Sequence, residues 1–180
     1  MFSQIRKILY TTDLSPNSAY VLRHVVNSAK KHNAKLVALH VVNYLPPKTV
    51  ILFEPYPTKE KMNQIAEEDA YKQKCIFKQI DLLWAKEMKN APGSEDILDE
   101  LLVIPGDPVD EILKQARELA CDAIAMGTHK KGLLRSIYFS GTTKKVLRKT
   151  KKPVIIIPLS GREKRPEWRP RLGNLATGHK

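Results

Sequence analysis

Short apolar runs alternate along this chain with segments whose apolar residues recur at helical spacing, and this alternation constrains the fold more than any other feature. The apolar runs have the length and the β-branched content that are typical of strands. In Lys35–Val42 apolar residues occupy nearly every position, which indicates a strand covered on both faces. Strands that alternate with helices predict right-handed crossovers and an α/β fold: an open, doubly wound parallel sheet with helices on both faces.

Five strands and four helices follow from this pattern. The strands are predicted at residues 5–10, 35–42, 98–104, 122–126 and 154–157. The helices are predicted at residues 15–31, from residue 58 to just before Pro92, from Pro108 onwards, and at residues 141–149. Ser15 and Asp107 are the predicted caps of the first and third helices, because a proline follows each of them at the first helical position.

The length of 180 residues is that of a single domain, which we predict over residues 1–158. Residues 159–180 form a basic tail that we expect to be largely disordered, because it holds few large apolar side chains. The two cysteines, Cys75 and Cys121, lie far apart, which argues against a disulfide framework and a structural zinc site. No apolar run approaches the roughly 20 residues that cross a bilayer, so we expect a cytoplasmic protein without membrane association.

The formal net charge of +12 is concentrated in the C-terminal third of the chain. Residues 1–129 carry 16 basic and 17 acidic residues, whereas residues 130–152 carry nine basic residues and no acidic one. Such a local excess predicts an anionic partner for this segment. Nucleic acid is one candidate, although no recognition motif for it occurs.

Ligands of doubly wound sheets bind at the carboxyl ends of the strands, where the winding reverses. The predicted helix at residues 141–149 would offer amide groups and the positive end of its dipole to a phosphate there. The residues at these strand ends and around that helix start are candidate binding residues, with hydroxyl and basic side chains as added donors. They are Thr11, Thr12, Asp13, Val41, Met126, Gly127, His129, Lys130, Ser140, Gly141, Thr142 and Thr143. We expect Gly127 to form a turn with free backbone donors, and Asp13 has the alternative role of capping the first helix.

Two well-known phosphate signatures are not met. Gly127 and Gly132 have the glycine spacing of a P-loop, but Leu133 and Leu134 follow where lysine and a hydroxyl residue are required. A G-x-G-x-x-G sequence does not occur. The chain therefore does not read as a P-loop ATPase or as a Rossmann dehydrogenase.

Several motifs in the same order resemble the universal stress protein family over about residues 5–158. They are the segments at residues 8–15, 39–42, 106–108, 126–129, 145–148 and 152–158. The resemblance implies a five-stranded parallel sheet in the order 3-2-1-4-5, a dimer, and an adenine-nucleotide site at the candidate residues. It also implies that Val41 contacts the adenine and that Asp13 lies beside the ribose or beside Mg²⁺ bound with ATP.

Family members that bind nucleotide carry Gly-x-x-Gly, nine residues, and then Gly-Ser or Gly-Thr after the fourth strand. Gly127 matches the first glycine, whereas Lys130 occupies the second glycine position and Ser140-Gly141 stands where Gly-Ser is expected. A one-residue slip would place Gly141-Thr142 on the motif, with an insertion in the loop. These departures leave open the alternative of a nucleotide-free interaction protein with a lost pocket.

We expect a stress-response module that binds ATP or AMP, with Mg²⁺ if the ligand is ATP, and that presents a ligand-dependent surface to an unidentified protein partner. We predict no catalytic residue, and at most a slow ATPase or phosphotransfer activity. The second alternative is a polyanion-binding or nucleic-acid-binding module that uses the basic C-terminal third.

The last predicted strand, from Val154 to Ile157, is β-branched throughout and is expected at a sheet edge. An apolar edge invites pairing, so we predict a homodimer through antiparallel pairing of this strand with that of a second copy. The alternative is that the tail from Leu159 folds back over this edge.

Overall fold

The computed structural model describes residues 4–43, 59–89, 91–94, 96–129 and 141–159. In this part of the chain five strands and four helices alternate. The strands are β1 (Lys7–Thr11), β2 (Lys35–Val42), β3 (Leu98–Pro105), β4 (Ala123–His129) and β5 (Val154–Leu159). The helices are α1 (Ser18–His32), α2 (Lys59–Met88), α3 (Pro108–Glu118) and α4 (Gly141–Lys149).

The five strands form one parallel sheet in the order β3-β2-β1-β4-β5, which confirms the predicted topology. The central strand β1 is shorter than its neighbours. Its last residue, Thr11, pairs with Leu39 of β2 and with Met126 of β4. Both neighbours continue for three residues beyond these partners. The result is a notch at the carboxyl edge of the sheet, about 10 Å deep and about 10 Å wide between strand axes.

Two apolar clusters lie on opposite faces of the sheet. On one face α1 and the C-terminal part of α2 contribute Val25, Leu83 and Trp84, among others. On the other face α3 and α4 contribute Ile112 and Val146. The sheet is therefore covered on both sides, as the nearly continuous apolar sequence of β2 predicts. No helix among the described residues is both long enough and apolar enough to span a membrane.

The third helix begins as predicted, whereas the first does not. The Asp107 carboxylate accepts hydrogen bonds from the amides of Val109 and Asp110, with Pro108 in the first turn of α3. Helix α1 begins only at Ser18, and its N-cap residue, Asn17, makes no side-chain capping bond. The prediction that Ser15 caps α1 is therefore wrong, because hydrogen bonds to the side chains of Thr12 and Asp13 hold the backbone before Ser18 in turns.

Strands β4 and β5 are longer than predicted. The predicted β4 ended at Met126, but Gly127, Thr128 and His129 continue it and pair with Ile157, Pro158 and Leu159. Pro158 is tolerated because β5 is an edge strand, where a residue without an N–H group can sit. Leu159 is only 5% exposed and belongs to the α1-side cluster. Strand β5 therefore ends two residues after its predicted end at Ile157, and the predicted tail beyond Leu159 lies outside the described residues.

A carboxylate holds the amino ends of β1 and β4 together. Asp122 Oδ2 accepts hydrogen bonds from the amides of Arg6 at 2.8 Å and Lys7 at 3.0 Å. These amides, that of Arg6 first, hold the pKa of Asp122 below its usual value. A carboxyl whose pKa is lowered by folding stabilises the fold above its unfolded pKa, and this stabilisation is lost as the pH falls through the lower folded value.

We expect Asp122→Ala to lower the free energy of unfolding at pH 7 by about 1–2 kcal/mol, because two backbone donors lose a charged acceptor. Urea titrations of both proteins should converge as the pH falls through the lowered pKa of Asp122, because the wild-type carboxylate then becomes protonated. Glu118→Ala, which removes an exposed carboxylate from the last turn of α3, should change little. A stability difference that does not change between pH 7 and pH 2 would contradict this role.

Candidate functional site

A cavity of about 290 Å³ opens at the notch where β1 ends. Its lining combines residues from the ends of β1, β2 and β4, the loop before α1, and the first turns of α1, α3 and α4, with Leu159 from β5. The lining residues are Tyr10, Thr11, Thr12, Asp13, Ser15, Ser18, Val21, Leu39, His40, Val41, Pro108, Ile112, Met126, Gly127, Thr142, Thr143 and Leu159. Eight of them are residues that the sequence predicts: Thr11, Thr12, Asp13, Val41, Met126, Gly127, Thr142 and Thr143.

The loop between β1 and α1 is held by hydrogen bonds among its own residues. The Thr12 hydroxyl bonds to Ser18 Oγ at 3.1 Å and accepts the amide of Leu14 at 3.1 Å. The Tyr10 hydroxyl donates to the Ser18 carbonyl at 3.2 Å, and burial raises the pKa of Tyr10 far above its usual value. Leu14 has a positive φ of 55°, which is strained for a residue with a branched side chain. The side chains around it therefore fix a loop conformation that the backbone alone would disfavour.

Asp13 stabilises this loop rather than a helix. Its Oδ1 accepts the amide of Ser15 at 3.0 Å, the geometry of an Asx turn, whereas α1 begins three residues further on. The interpretation of Asp13 as the cap of α1 is therefore wrong. The carboxylate is exposed and lines the cavity. With histidine neutral, it is the only side chain with a formal charge among the described lining residues.

His40 is a lining residue to which the sequence analysis gave no role. Its Nδ1 lies 2.8 Å from the carbonyl oxygen of Thr12. Because a carbonyl only accepts, Nδ1 carries the hydrogen. A backbone bond from Thr12 to the Leu39 carbonyl, at 3.0 Å, runs alongside it. These two bonds hold the loop against β2. The signal available in the sequence was the position of His40, two residues before the predicted end of its strand and next to Val41.

Helix α4 directs its N-terminus toward the cavity. Thr142 and Thr143 of its first turn line the cavity, Thr142 half-buried and Thr143 buried. The first amides of a helix have no intrahelical acceptor and carry a positive partial charge. Gly141 begins this helix but is exposed and does not line the cavity. Of the remaining predicted residues, Lys130, Ser140 and the side chain of His129 lie outside the described residues.

Gly127 has a packing role that differs from the predicted one. It lies within β4 and pairs with Ile157, so it does not form a turn. A Cβ atom on residue 127 would lie 2.8 Å from Cγ2 of Val21, which is closer than Cβ atoms approach other atoms in protein structures. Glycine is therefore required here so that α1 can approach the sheet beside the cavity, and the prediction of a turn with free backbone donors is wrong.

The basic surface of α4 is described only from Gly141 onwards. Lys144, Lys145 and Arg148 are exposed, and Lys149 pairs with Asp110 of α3 at 3.2 Å. A surface groove brings Lys145, Arg148 and Lys149 together with Asp107 and Asp110. The charge there is mixed, which is less suited to a polyanion than the sequence suggests, and binding of a polyanion or nucleic acid stays an untested prediction.

A model of the universal stress protein family matches residues 4–158 of the chain. This protein belongs to that family. A universal stress protein of Methanocaldococcus jannaschii is 29% identical over 161 residues, which cover 84% of this chain and 94% of the relative. In the described part of this universal stress protein, no three histidine, cysteine or carboxylate side chains lie close enough together to hold a metal ion.

Two solved universal stress proteins share the fold at lower identity. One, in complex with cAMP, has a TM-score of 0.54 and 17% identity, and the match covers 86% of this chain and 98% of that one. The other, from Archaeoglobus fulgidus in complex with dAMP, has a TM-score of 0.50 and 21% identity, with the same two coverages. At this identity, both likenesses show the shared fold alone.

We expect Gly127→Ala to destabilise the protein by about 1–3 kcal/mol, because the added methyl group would displace Val21 and α1. Truncating the neighbour should relieve this clash, so the double variant Gly127→Ala/Val21→Ala should lose less stability than the sum of the two single variants. Urea denaturation of the four proteins measures this coupling. Additive losses would show that the two positions do not compete for space.

Proposed function

We propose that this universal stress protein binds an adenine nucleotide in the cavity at the ends of β1, β2 and β4. The observation that carries the proposal is the convergence of eight sequence-predicted residues on one cavity at the notch. This is the place where open parallel sheets bind ligands. The solved relatives in complex with cAMP and dAMP support the choice of ligand class.

The size of the cavity favours a mononucleotide. Its volume of about 290 Å³ lies at the lower end of the range for small-molecule sites, about 300–1,000 Å³. Val41, Met126 and Ile112 provide apolar surface for a base, and they stand on the side of the sheet that carries α3 and α4. The hydroxyls of the β1–α1 loop and of α4 suit the ribose and the phosphates.

The phosphates have two ways to be neutralised at this site. One is the N-terminal turn of α4, whose amide groups and dipole favour an anion. The other is a divalent cation held by Asp13, the charged side chain among the described lining residues. We propose that AMP uses the first alone, whereas ATP needs Mg²⁺ at Asp13 as well, because its additional phosphates would otherwise lie near a carboxylate.

Binding would change which surface the protein presents. The lining joins the start of α4 to the loop before α1, and these segments come from distant parts of the sequence. A ligand that contacts both favours the arrangement in which they are close. The role that we propose is a nucleotide-dependent interaction module in the stress response, acting in the cytoplasm on an unidentified protein partner.

Calorimetric titration with AMP, and with ATP plus Mg²⁺, should give dissociation constants between micromolar and millimolar, about −8 to −4 kcal/mol. Thr142→Val should weaken both by about fivefold to tenfold, because it removes one hydroxyl from the cavity at nearly constant volume. Ser28→Ala removes a hydroxyl from the middle of α1 and serves as the control. If neither ligand gives a binding signal at millimolar concentration, the result would favour the alternative of a nucleotide-free interaction protein.

Asp13→Asn should abolish the gain in ATP affinity that Mg²⁺ provides, while AMP binding in EDTA stays equal or becomes tighter. The asparagine Oδ1 can still accept the Ser15 amide, so the loop is preserved and the charge alone is removed. Titrations of each nucleotide with and without Mg²⁺ measure the difference. A magnesium effect that survives in this variant would place the metal away from Asp13.

We also propose that the protein forms a homodimer through β5. This strand lies at the edge of the sheet, next to β4. Ile156 is half-buried and is not among the residues of either core cluster, whereas Ile157 is 6% exposed and belongs to the α1-side cluster. An apolar edge residue that the core does not use is suited to pairing with a second copy about a two-fold axis.

Light scattering across the micromolar range should give the mass of a dimer, and Ile156→Lys should give a folded monomer. Ile156→Val is the matched control, because it keeps an apolar side chain and should stay dimeric. Lysine at Ile155 or Ile157 is a poor control, because both residues pack toward α1 and would destabilise the fold. A monomeric mass for the wild type at every concentration would contradict this interface.

A further inference from the structure

Helix α2 is much longer than its packing against the domain requires. Its 30 residues span about 45 Å, whereas the eight residues of β3 beside it span about 26 Å. Its buried side chains are Ile80, Leu83, Trp84 and Glu87, all within its last third. The other side chains described on this helix are exposed or half-buried. Among the described side chains, none at residues 63 and 66–79 is fully buried against the domain.

The face of α2 opposite to these buried residues carries a stripe with a regular spacing. Tyr71, Cys75, Lys78 and Leu82, named here the outer stripe, follow one another at intervals of four, three and four residues. This spacing keeps side chains on one face of a helix and is that of a coiled-coil seam. Tyr71 and Leu82 each keep 59% of their surface exposed, which is high for large apolar side chains at positions that share a face.

The outer stripe is complementary to itself when reversed. A two-fold axis near the midpoint of residues 71 and 82 places Tyr71 against Leu82 of a second copy, and it does so twice. On the same flank, Lys74 then falls beside Asp81 of the second copy, also twice. Both of these flanking side chains are exposed. The antiparallel arrangement therefore has two contacts between opposite charges beside its seam.

We infer that the outer stripe binds the outer stripe of a second copy of this chain, with the two α2 helices antiparallel. The contact covers about three helical turns, so it is a small interface that forms weakly by itself. It goes beyond the proposed function and does not depend on nucleotide binding.

This interface lies far from the proposed β5 interface. Helix α2 packs on β3 and α1, and β3 is the edge strand opposite to β5 in the sheet. Four strand spacings, about 19 Å, separate these edges within one protomer. In a dimer formed through β5 the two α2 helices therefore lie at opposite ends of the assembly, and one chain can use both interfaces.

Cys75 provides a reporter within the outer stripe. In the antiparallel pair the two Cys75 residues are offset by about 4–5 Å along helices whose axes lie about 8–10 Å apart. A bismaleimide with a span of about 8 Å should therefore join them, whereas Cys121 is fully buried and shielded from the reagent. The full-length protein should give a covalent dimer that Cys75→Ser abolishes. Complete single-site labelling of Cys75 without covalent dimer would overturn the proposal.

Charge reversal separates specific pairing from chance collision. Lys74→Asp alone and Asp81→Lys alone each place like charges together at both of these contacts. Each variant should therefore cross-link about three- to tenfold less than the wild type at low ionic strength. An equimolar mixture of the two variants should recover cross-linking, because opposite charges then meet at both contacts of the mixed pair.

Lys114→Asp, on the distant helix α3, is the matched control for a change of net charge and should cross-link like the wild type. Circular dichroism of each variant confirms that α2 remains helical. Equal cross-linking in the wild type and both reversal variants, or no recovery in their mixture, would overturn antiparallel pairing through the outer stripe.

Discussion

The early end of β1 is the constraint on which the rest of this site depends. Thr11 is the last residue of the strand, while β2 and β4 continue on both sides of it. In a parallel sheet that is covered on both faces, such a difference in length opens a notch that side chains of neighbouring strands cannot fill. The chain leaving β1 has to turn inside this notch, and the turn forms one wall of the cavity. A longer β1 would continue the ladder and close the site.

The turn carries local strain that its surroundings offset. Leu14 adopts a positive φ, and the Thr12 hydroxyl, the Asp13 carboxylate and the His40 ring supply the hydrogen bonds that hold the segment. Strain of this kind costs about 1–3 kcal/mol and is concentrated at binding sites. The same tight geometry explains Gly127, because α1 must approach β4 closely beside the notch. Loop strain and the close approach of α1 thus occur side by side at the notch.

Much of this architecture could be predicted from the sequence, because periodicity and capping are local signals. Strand β2, helix α4 and the Asp107 cap have the predicted bounds, and the sheet order follows the family resemblance. The start of α1 could not be predicted, because Ser15 and Pro16 satisfy a local capping pattern while hydrogen bonds from Thr12 and Asp13 determine the turn. Gly127 and His40 depend on residues distant in sequence, Val21 and Thr12, so a single sequence gives no direct signal for their roles.

A nuclear magnetic resonance titration of the ¹⁵N-labelled protein with AMP tests the central claim most directly, because it locates the site. The account predicts that the largest amide shift changes occur in residues 11–15, 40–42, 126–127 and 142–143, the segments that surround the notch. Amides of α2 should change little, because none of its described residues lines the cavity. Saturable shifts that cluster elsewhere, with the notch unaffected, would contradict the account.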